Sequence, residues 1–344
     1  LWELSREVKA SAELTTAFEA GVDGLLERLG ESGSDDASTF LAHWDEFLVK
    51  FGSRGPNEWE IYADTWETKP AIALAALDRI RFQTDDEAPT IRNQKKADER
   101  EETVAEVRAA LEELGNEELS GQFEAALVAA SQLAFRERTK TNIVRAVHEG
   151  RMCFRELGRR QAEAGNLADP QHVFMLVDDE LEDFVADPAS FTTVLADRAA
   201  TWAELHDLEP PFIIRDGDVG SLRDWPQKGD ERPPVAQSGD VLQGVPGCPG
   251  ILVGTARIIL DPSDPGALEP GDIMVAPITD PAWTPLFMAA GAVVVNVGGQ
   301  ISHSIIVSRE LGLPCVISCE GATERIPDGA TIEVNGGTGT VTVL

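Results

Sequence analysis

"AVVVNVGGQISHSIIVSRELGLPCVIS", residues 292–318, decides how the second half of this chain folds. Its opening run is rich in Val and stops at a Gly pair, which predicts a strand entering a tight turn. The residues after the turn have helical length and end at Gly312, the usual residue just past a helix end. "PCVIS" then reads as a buried strand. Working outward, "ILVGTARIIL", "DIMVAP" and "TIEVNGGTGTVTVL" carry the Val and Ile content of strands, and "PAWTPLFMAAG" has the length and terminal Gly of a helix. Short strands alternating with helices predict a compact α/β domain over residues 241–344.

The turn of that stretch holds His303, one of five histidines in 344 residues. Gly298 and Gly299 leave room for a ligand to approach the backbone, and the unpaired amides at a helix start form an anion site. A neutral imidazole held there is a nucleophile with a pKa near working pH and can carry a phosphoryl group. Ser302 and Ser304 can donate hydrogen bonds to that group. A histidine near a helix start also serves as a cap or a surface residue, and the residues alone leave both readings open.

Residues 1 to about 205 read as helices. In "ETVAEVRAALEELG", Val104, Val107, Leu111 and Leu114 recur at helical spacing, as do Ile143, Val147, Phe154 and Leu157. From about 208 to 248 the chain turns rich in Pro, Gly and charge. The expected organisation is therefore multidomain: an all-helical domain over 1–225, a hinge linker over 226–240 and the α/β domain over 241–344.

Composition narrows the function classes. Sixty Asp and Glu against 29 Lys and Arg give a net charge of −31, which argues against nucleic acid, since such binders gain affinity by neutralising phosphates. No apolar run approaches the roughly 20 residues of a membrane span, and the amino terminus is unlike a signal peptide. The four cysteines are scattered and form no metal knuckle, so no metal site and a reducing, cytoplasmic setting are expected. The chain begins with Leu inside a helical pattern, which leaves open whether sequence precedes it.

The helical half offers several candidates. Residues 136–160 hold eight cations against three carboxylates, a local charge of +5 in an acidic chain. Arg138, Asn142, Arg145 and Glu149 share one helix face, where they meet a phosphoryl group or form an ordinary solvated surface. In "FGSRGPNEWE", Arg54 and Glu58 flank a Gly-Pro turn, either bracing it or bordering a pocket. Trp44, Phe47, Trp59 and Trp66 suit a flat acceptor or a core equally. His43 and His148 are candidate bases for an acceptor hydroxyl, with a structural role as the alternative.

The runs 244–264, 268–318 and 326–344 together resemble the swivelling phosphohistidine domain of the PEP-utilising enzymes. His303 falls on the phosphorylated histidine of that family, while Ser304 and Ile305 stand where alanine is commoner. "TDPAWTPLF", residues 279–287, is similar to the rifampin phosphotransferase branch, and the segments 47–70 and 154–181 resemble its acceptor-binding helical domain more loosely. The resemblance implies a phosphoryl-stabilising set of Gly298, Gly299, Ser302, Ser304, Arg309, Thr279 and Asp280. Thr279 or Asp280 can equally cap the helix after Pro281.

No G-x-x-x-x-G-K-[ST] loop is present, and the resemblance accounts for neither an ATP-grasp domain nor a PEP-binding barrel within these residues. It implies instead the phosphohistidine subunit of a phenylphosphate-type synthase, with ATP and Mg2+ held on a separate nucleotide-binding, ATP-grasp-like subunit. The acceptor expected from that likeness is a small aromatic hydroxyl compound such as phenol or 4-cresol. Two alternatives stand beside it: a fragment of a rifamycin-type antibiotic phosphotransferase, and a non-catalytic scaffold that retains the fold.

Overall fold

A computed structural model describes residues 1–210, 217, 220–229 and 233–344, with the side chains of Leu133, Ala134, Arg136 and Glu137 outside the description. The expected hinge at 226–240 lies partly outside the described residues. Among the described residues the chain forms two compact units. One comprises Leu1–Glu58, Ala63–Val144 and Pro234–Leu344; the other comprises Trp59–Tyr62 and Arg145–Pro233.

The first unit opens with short helices α1 (Trp2–Ala10), α2 (Ala12–Glu19), α3 (Leu25–Ser32), α4 (Asp35–Phe51) and α5 (Ala71–Ile80). Local chemistry sets their ends. Ser11 accepts the Leu14 amide at the start of α2, and Ser34 accepts the Ala37 amide at the start of α4, each satisfying a helix-start donor. An aromatic column, Phe18, Phe40, Trp44, Phe47 and Trp66, runs through the core between these helices. Trp44, Phe47 and Trp66 are thereby assigned to packing, and only Trp59 of the four candidate aromatics is exposed.

Helices α6 (Pro89–Leu114) and α7 (Glu117–Glu163) follow, joined by Gly115 in the left-handed conformation and by Asn116, whose side chain accepts the Leu119 amide.

The α/β part builds one eight-stranded sheet from β1 (Val241–Gln243), β2 (Val245–Cys248), β3 (Ile251–Ile258), β4 (Ile273–Ala276), β5 (Ala292–Val295), β6 (Cys315–Ile317), β7 (Thr331–Asn335) and β8 (Thr340–Val343). Their order is β1-β8-β7-β3-β4-β5-β6-β2, with β3, β4, β5 and β6 parallel and the remaining pairings antiparallel. The fold class read from the sequence, a helical region followed by an α/β sheet domain, holds. β1 and β2 lie in "VLQGVPGC", where Gly and Pro mask the strand pattern, and their partners come from the far end of the chain.

Alternate residues of the parallel strands face opposite cores, as the period of two requires. Met274, Ala276, Val293, Val295, Cys315 and Ile317 face one core with helices α10 (Thr284–Ala289) and α11 (His303–Leu311), while Ile273, Val275, Ala292, Val294 and Val316 face the other with α12 (Ala322–Arg325). Burying one such Val or Ile stabilises by about 1.5–3 kcal/mol. Ala76 of α5 joins the first core, so the helical segment and the sheet domain share packing within this unit.

The second unit takes in the end of α7 with α8 (Leu181–Ala186) and α9 (Thr192–Leu205) around Leu167, Val173, Phe184 and Leu195. Among its described residues, Arg151 is fully buried and donates to the carbonyls of Glu60 and Ile61.

Gly336, between β7 and β8, crosses the end of β2. A Cβ there would lie 1.8 Å from the Cys248 carbonyl and 2.7 Å from the Cys315 amide, both backbone atoms that cannot rotate away. Gly336→Ala is therefore expected to cost about 2–3 kcal/mol, the upper range for overpacking, and thermal unfolding followed by circular dichroism should show a midpoint several degrees lower.

Candidate functional site

The parallel strands deliver the site. β4 leads into "ITDPAW" and β5 into "NVGGQISH", so two loops leave the same end of neighbouring strands, where ligands bind in α/β sheets. The first loop ends in a 3-10 turn at Pro281–Trp283 and α10; the second ends in α11, whose first residue is His303.

The imidazole is largely buried and both ring nitrogens face threonines. Thr279 Oγ1 lies 3.2 Å from Nδ1 and Thr284 Oγ1 lies 3.2 Å from Nε2. A neutral imidazole has one N–H and one bare nitrogen, so one hydroxyl accepts from the ring and the other donates to it. Phe287 meets the ring edge-on, with centroids 5.6 Å apart. Burial drives the His303 pKa down to about 4, and the charges of Lys140 and Arg54 push the same way. At neutral pH the ring is therefore uncharged and nucleophilic.

Around it the helical segment contributes a buried charge cluster. Glu58 forms ion pairs with Arg54 Nε at 2.8 Å and with Lys140 Nζ at 3.4 Å, its own side chain only 1% exposed. Burial pushes the Glu58 pKa up, against the pull of Arg54 and Lys140. Asp280 lies between the two segments: Oδ1 accepts the Ala282 amide at 2.8 Å and Oδ2 the Asn57 amide at 2.9 Å. Burial raises its pKa as well, opposed by those two amides and by the same two cations. Asn57 holds a positive φ of 52° to present its amide, a conformation that Asn tolerates better than most residues.

The candidate residues separate once placed. Thr279 contacts the His303 ring, Arg54 acts on its charge, and Glu58 and Asp280 belong to the charge cluster around Arg54 and Lys140. Ser302 does not cap α11 with its side chain; its hydroxyl instead lies 2.9 Å from that of buried Ser304. Gly299 has open space where a Cβ would stand, whereas a Cβ on Gly298 would come within 3.1 Å of Ile317, so Gly298 serves close packing. Arg309 points along α11 to the Gly247 carbonyl of β2, 3.1 Å away, and braces the sheet edge.

On α7 the face turned toward Glu58 carries Lys140 and Thr141, the latter 3.5 Å from Arg54 Nη1, while Arg138 and Asn142 are exposed. Arg145 is exposed in the second unit, where His148 is buried and held 3.0 Å from Arg151 Nη1. His43 sits on the surface of α4, paired with Glu7 at 2.9 Å, and that carboxylate raises its pKa.

Sequence reasoning assigned no site role to Lys140, Thr284 or Asn57. Fully buried Val144, four residues on from Lys140, marks the inward face of α7, and that burial is visible only in the structure.

Residues 268–339 match the PEP-utilising enzyme mobile domain, a span that includes His303, Thr279, Asp280 and Thr284. This chain carries a PEP-utilising mobile domain. Residues 1–137 match the fourth domain of rifampicin phosphotransferase. An uncharacterized protein of Mycobacterium tuberculosis is 34% identical over 93% of this chain and 33% of its own length. Rifampicin phosphotransferase of Streptomyces sviceus is 30% identical over 95% of this chain and 37% of its own length. An uncharacterized phosphotransferase of Bacillus subtilis is 28% identical over all of this chain and 41% of its own length. The chain thus spans between a third and two fifths of these relatives. Among the described residues, no helix is long and apolar enough to cross a membrane.

The depressed His303 pKa makes a signed prediction. Between its ordinary 6.5 and about 4 the unfolded chain binds a proton that the folded mobile domain refuses, so His303 makes stability fall as pH falls through that window. Raised Glu58 and Asp280 act in the opposite sense, favouring the folded state as they protonate. His303→Asn should isolate the histidine: between pH 7 and 4 its thermal midpoint should decline less than that of the parent chain, and parallel curves would mean an imidazole that protonates alike in the folded and unfolded chain.

Proposed function

We propose that this chain is the phosphohistidine-carrying and acceptor-binding part of an ATP-dependent phosphotransferase. The observation that carries the reading is a buried, neutral imidazole between two hydroxyls, beside Arg54 and Lys140. Its bare nitrogen attacks a phosphorus of ATP at a nucleotide site outside these 344 residues, with ATP and Mg2+ held on a nucleotide-binding subunit. The P–O bond to the nucleotide breaks as the N–P bond forms, and AMP and phosphate are the products released there. The threonine facing that nitrogen then turns its hydroxyl to a phosphoryl oxygen. Gly299 leaves the approach clear, and the two cations offset the charge of the incoming dianion. A covalent intermediate allows the two half-reactions to be separated and each to exclude water.

The acceptor we propose is an aromatic hydroxyl compound such as phenol or 4-cresol. The second unit contains an apolar cleft of about 500 Å3 lined by Tyr62, Phe174, Met175, Leu176, Trp202 and Leu205, with the Tyr62 and Trp202 rings 4.5 Å apart. Such a cleft suits a flat ring. The rifampicin named in two relatives favours a second acceptor, to be tried beside the phenols.

Treatment of the full chain with potassium phosphoramidate should give a phosphohistidine signal in the 31P spectrum, labile to acid and absent from His303→Ala. Adding phenol, 4-cresol or rifampicin should then shorten the lifetime of that signal for the true acceptor class. Equal labelling of the alanine variant would overturn the assignment of His303. ATP alone should leave the chain unlabelled.

A further inference from the structure

Glu58 is a carboxylate with 1% of its side chain exposed, joined to cations from two segments far apart in the chain, Arg54 beside it and Lys140 on α7. Bracing the 54–58 turn does not require it. Backbone bonds from Trp66 to the Arg54 carbonyl at 2.8 Å and from Glu67 to the Gly52 carbonyl at 3.0 Å already pin that turn. Gly55 also packs so closely that a Cβ would meet the Asp64 carbonyl at 2.5 Å.

A buried ion pair, moreover, is seldom more stabilising than an apolar replacement, because desolvation offsets its attraction. What this pair does accomplish is geometric. Glu58 draws inward two long side chains, Arg54 and Lys140, whose charged ends favour water. Anchored, both remain about four-fifths buried and both act on His303.

We propose that Glu58 is a positioning residue for phosphoryl transfer, holding the Arg54 guanidinium and the Lys140 ammonium where they meet the phosphoryl group on His303. The role in transfer rests on the phosphohistidine reading above. In the step itself the acceptor oxygen bonds to phosphorus and the P–N bond breaks. Its electron pair returns to the ring nitrogen, which is bare again, and the hydroxyl proton leaves to water or to an oxygen of the product phosphate. Glu58 touches none of the reacting atoms. It fixes the two charges that the three phosphoryl oxygens encounter as the bond order shifts. Asp280, the other carboxylate near the ring, spends its oxygens on the amides of Asn57 and Ala282 and thereby sets the position of the 279–284 loop.

The titration of His303, followed in the 15N-labelled full chain by 1H–15N correlation NMR, separates anchoring from mere charge. The charged groups acting on the ring are Arg54 and Lys140, with Glu58 and Asp280 beside them. If Glu58 contributed only its negative charge, Glu58→Gln would leave the cations in place and lower the His303 midpoint further. If it anchors them, the cations are released to solvent and the midpoint rises, by about one pH unit.

Glu58→Asp, which keeps the charge but withdraws it by one methylene, should also raise the midpoint, and it serves if the Gln variant does not fold. Lys140→Met should raise it too, and adding Glu58→Gln to that variant should raise it by less than in the parent chain. A midpoint that falls or stays put in both Glu58 variants overturns the anchoring. A rise in a chain that phosphoramidate cannot label at His303 overturns the part in transfer.

Discussion

The structure depends on keeping one imidazole uncharged after it has been taken out of water. A histidine on an exposed helix start would be half-protonated near its ordinary pKa and hydrated on both nitrogens. Here burial drives the pKa to about 4, and two threonine hydroxyls replace the water that the ring would otherwise bind. Neutrality without desiccation of the nitrogens is the condition for nucleophilic chemistry at phosphorus, and the surrounding fold meets it with two loops from adjacent parallel strands. β4 and β5 are fully buried, so the loops that leave them start from a rigid base.

The charge cluster extends the same logic across sequence-distant segments of one compact unit. Asp280 caps its own 3-10 turn and accepts the Asn57 amide, while Gln83 donates to the Met288 carbonyl at 2.9 Å and Ala76 enters the core beneath α10. The mobile-domain span and the segment matching the rifampicin phosphotransferase fourth domain are therefore in contact at the histidine. Glu58 and Asp280, the buried carboxylates in this region, have raised pKa values because burial penalises their charged forms.

Much of this was legible in the residues. "AVVVNVGGQISH" announces strand, turn and helix through its Val run, its Gly pair and its later Gly312, each a local signal. For His303 the residue type and a helix start left a carrier role and a capping role both open, and the resemblance favoured the first. Charged helix faces were harder. Arg138, Asn142 and Arg145 stand at perfect helical spacing, yet spacing says which residues share a face and not which face turns inward. Buried Val144 turns Lys140 inward instead. The aromatic residues failed as site markers for a similar reason, since Trp44, Phe47 and Trp66 look alike in a pocket and in a core until their neighbours are known.

The sequence by itself determined the alternation of elements and the α/β character of the second half, because periodicity, turn chemistry and helix punctuation act within a few residues. Only the tertiary structure decided that Arg54, Glu58 and Lys140 converge on His303, that Thr279 and Thr284 share its two nitrogens, and that β1 and β2 complete the sheet. Those outcomes depend on desolvation and on distances between segments as much as 223 residues apart. Neither quantity has a local signature in a chain of letters.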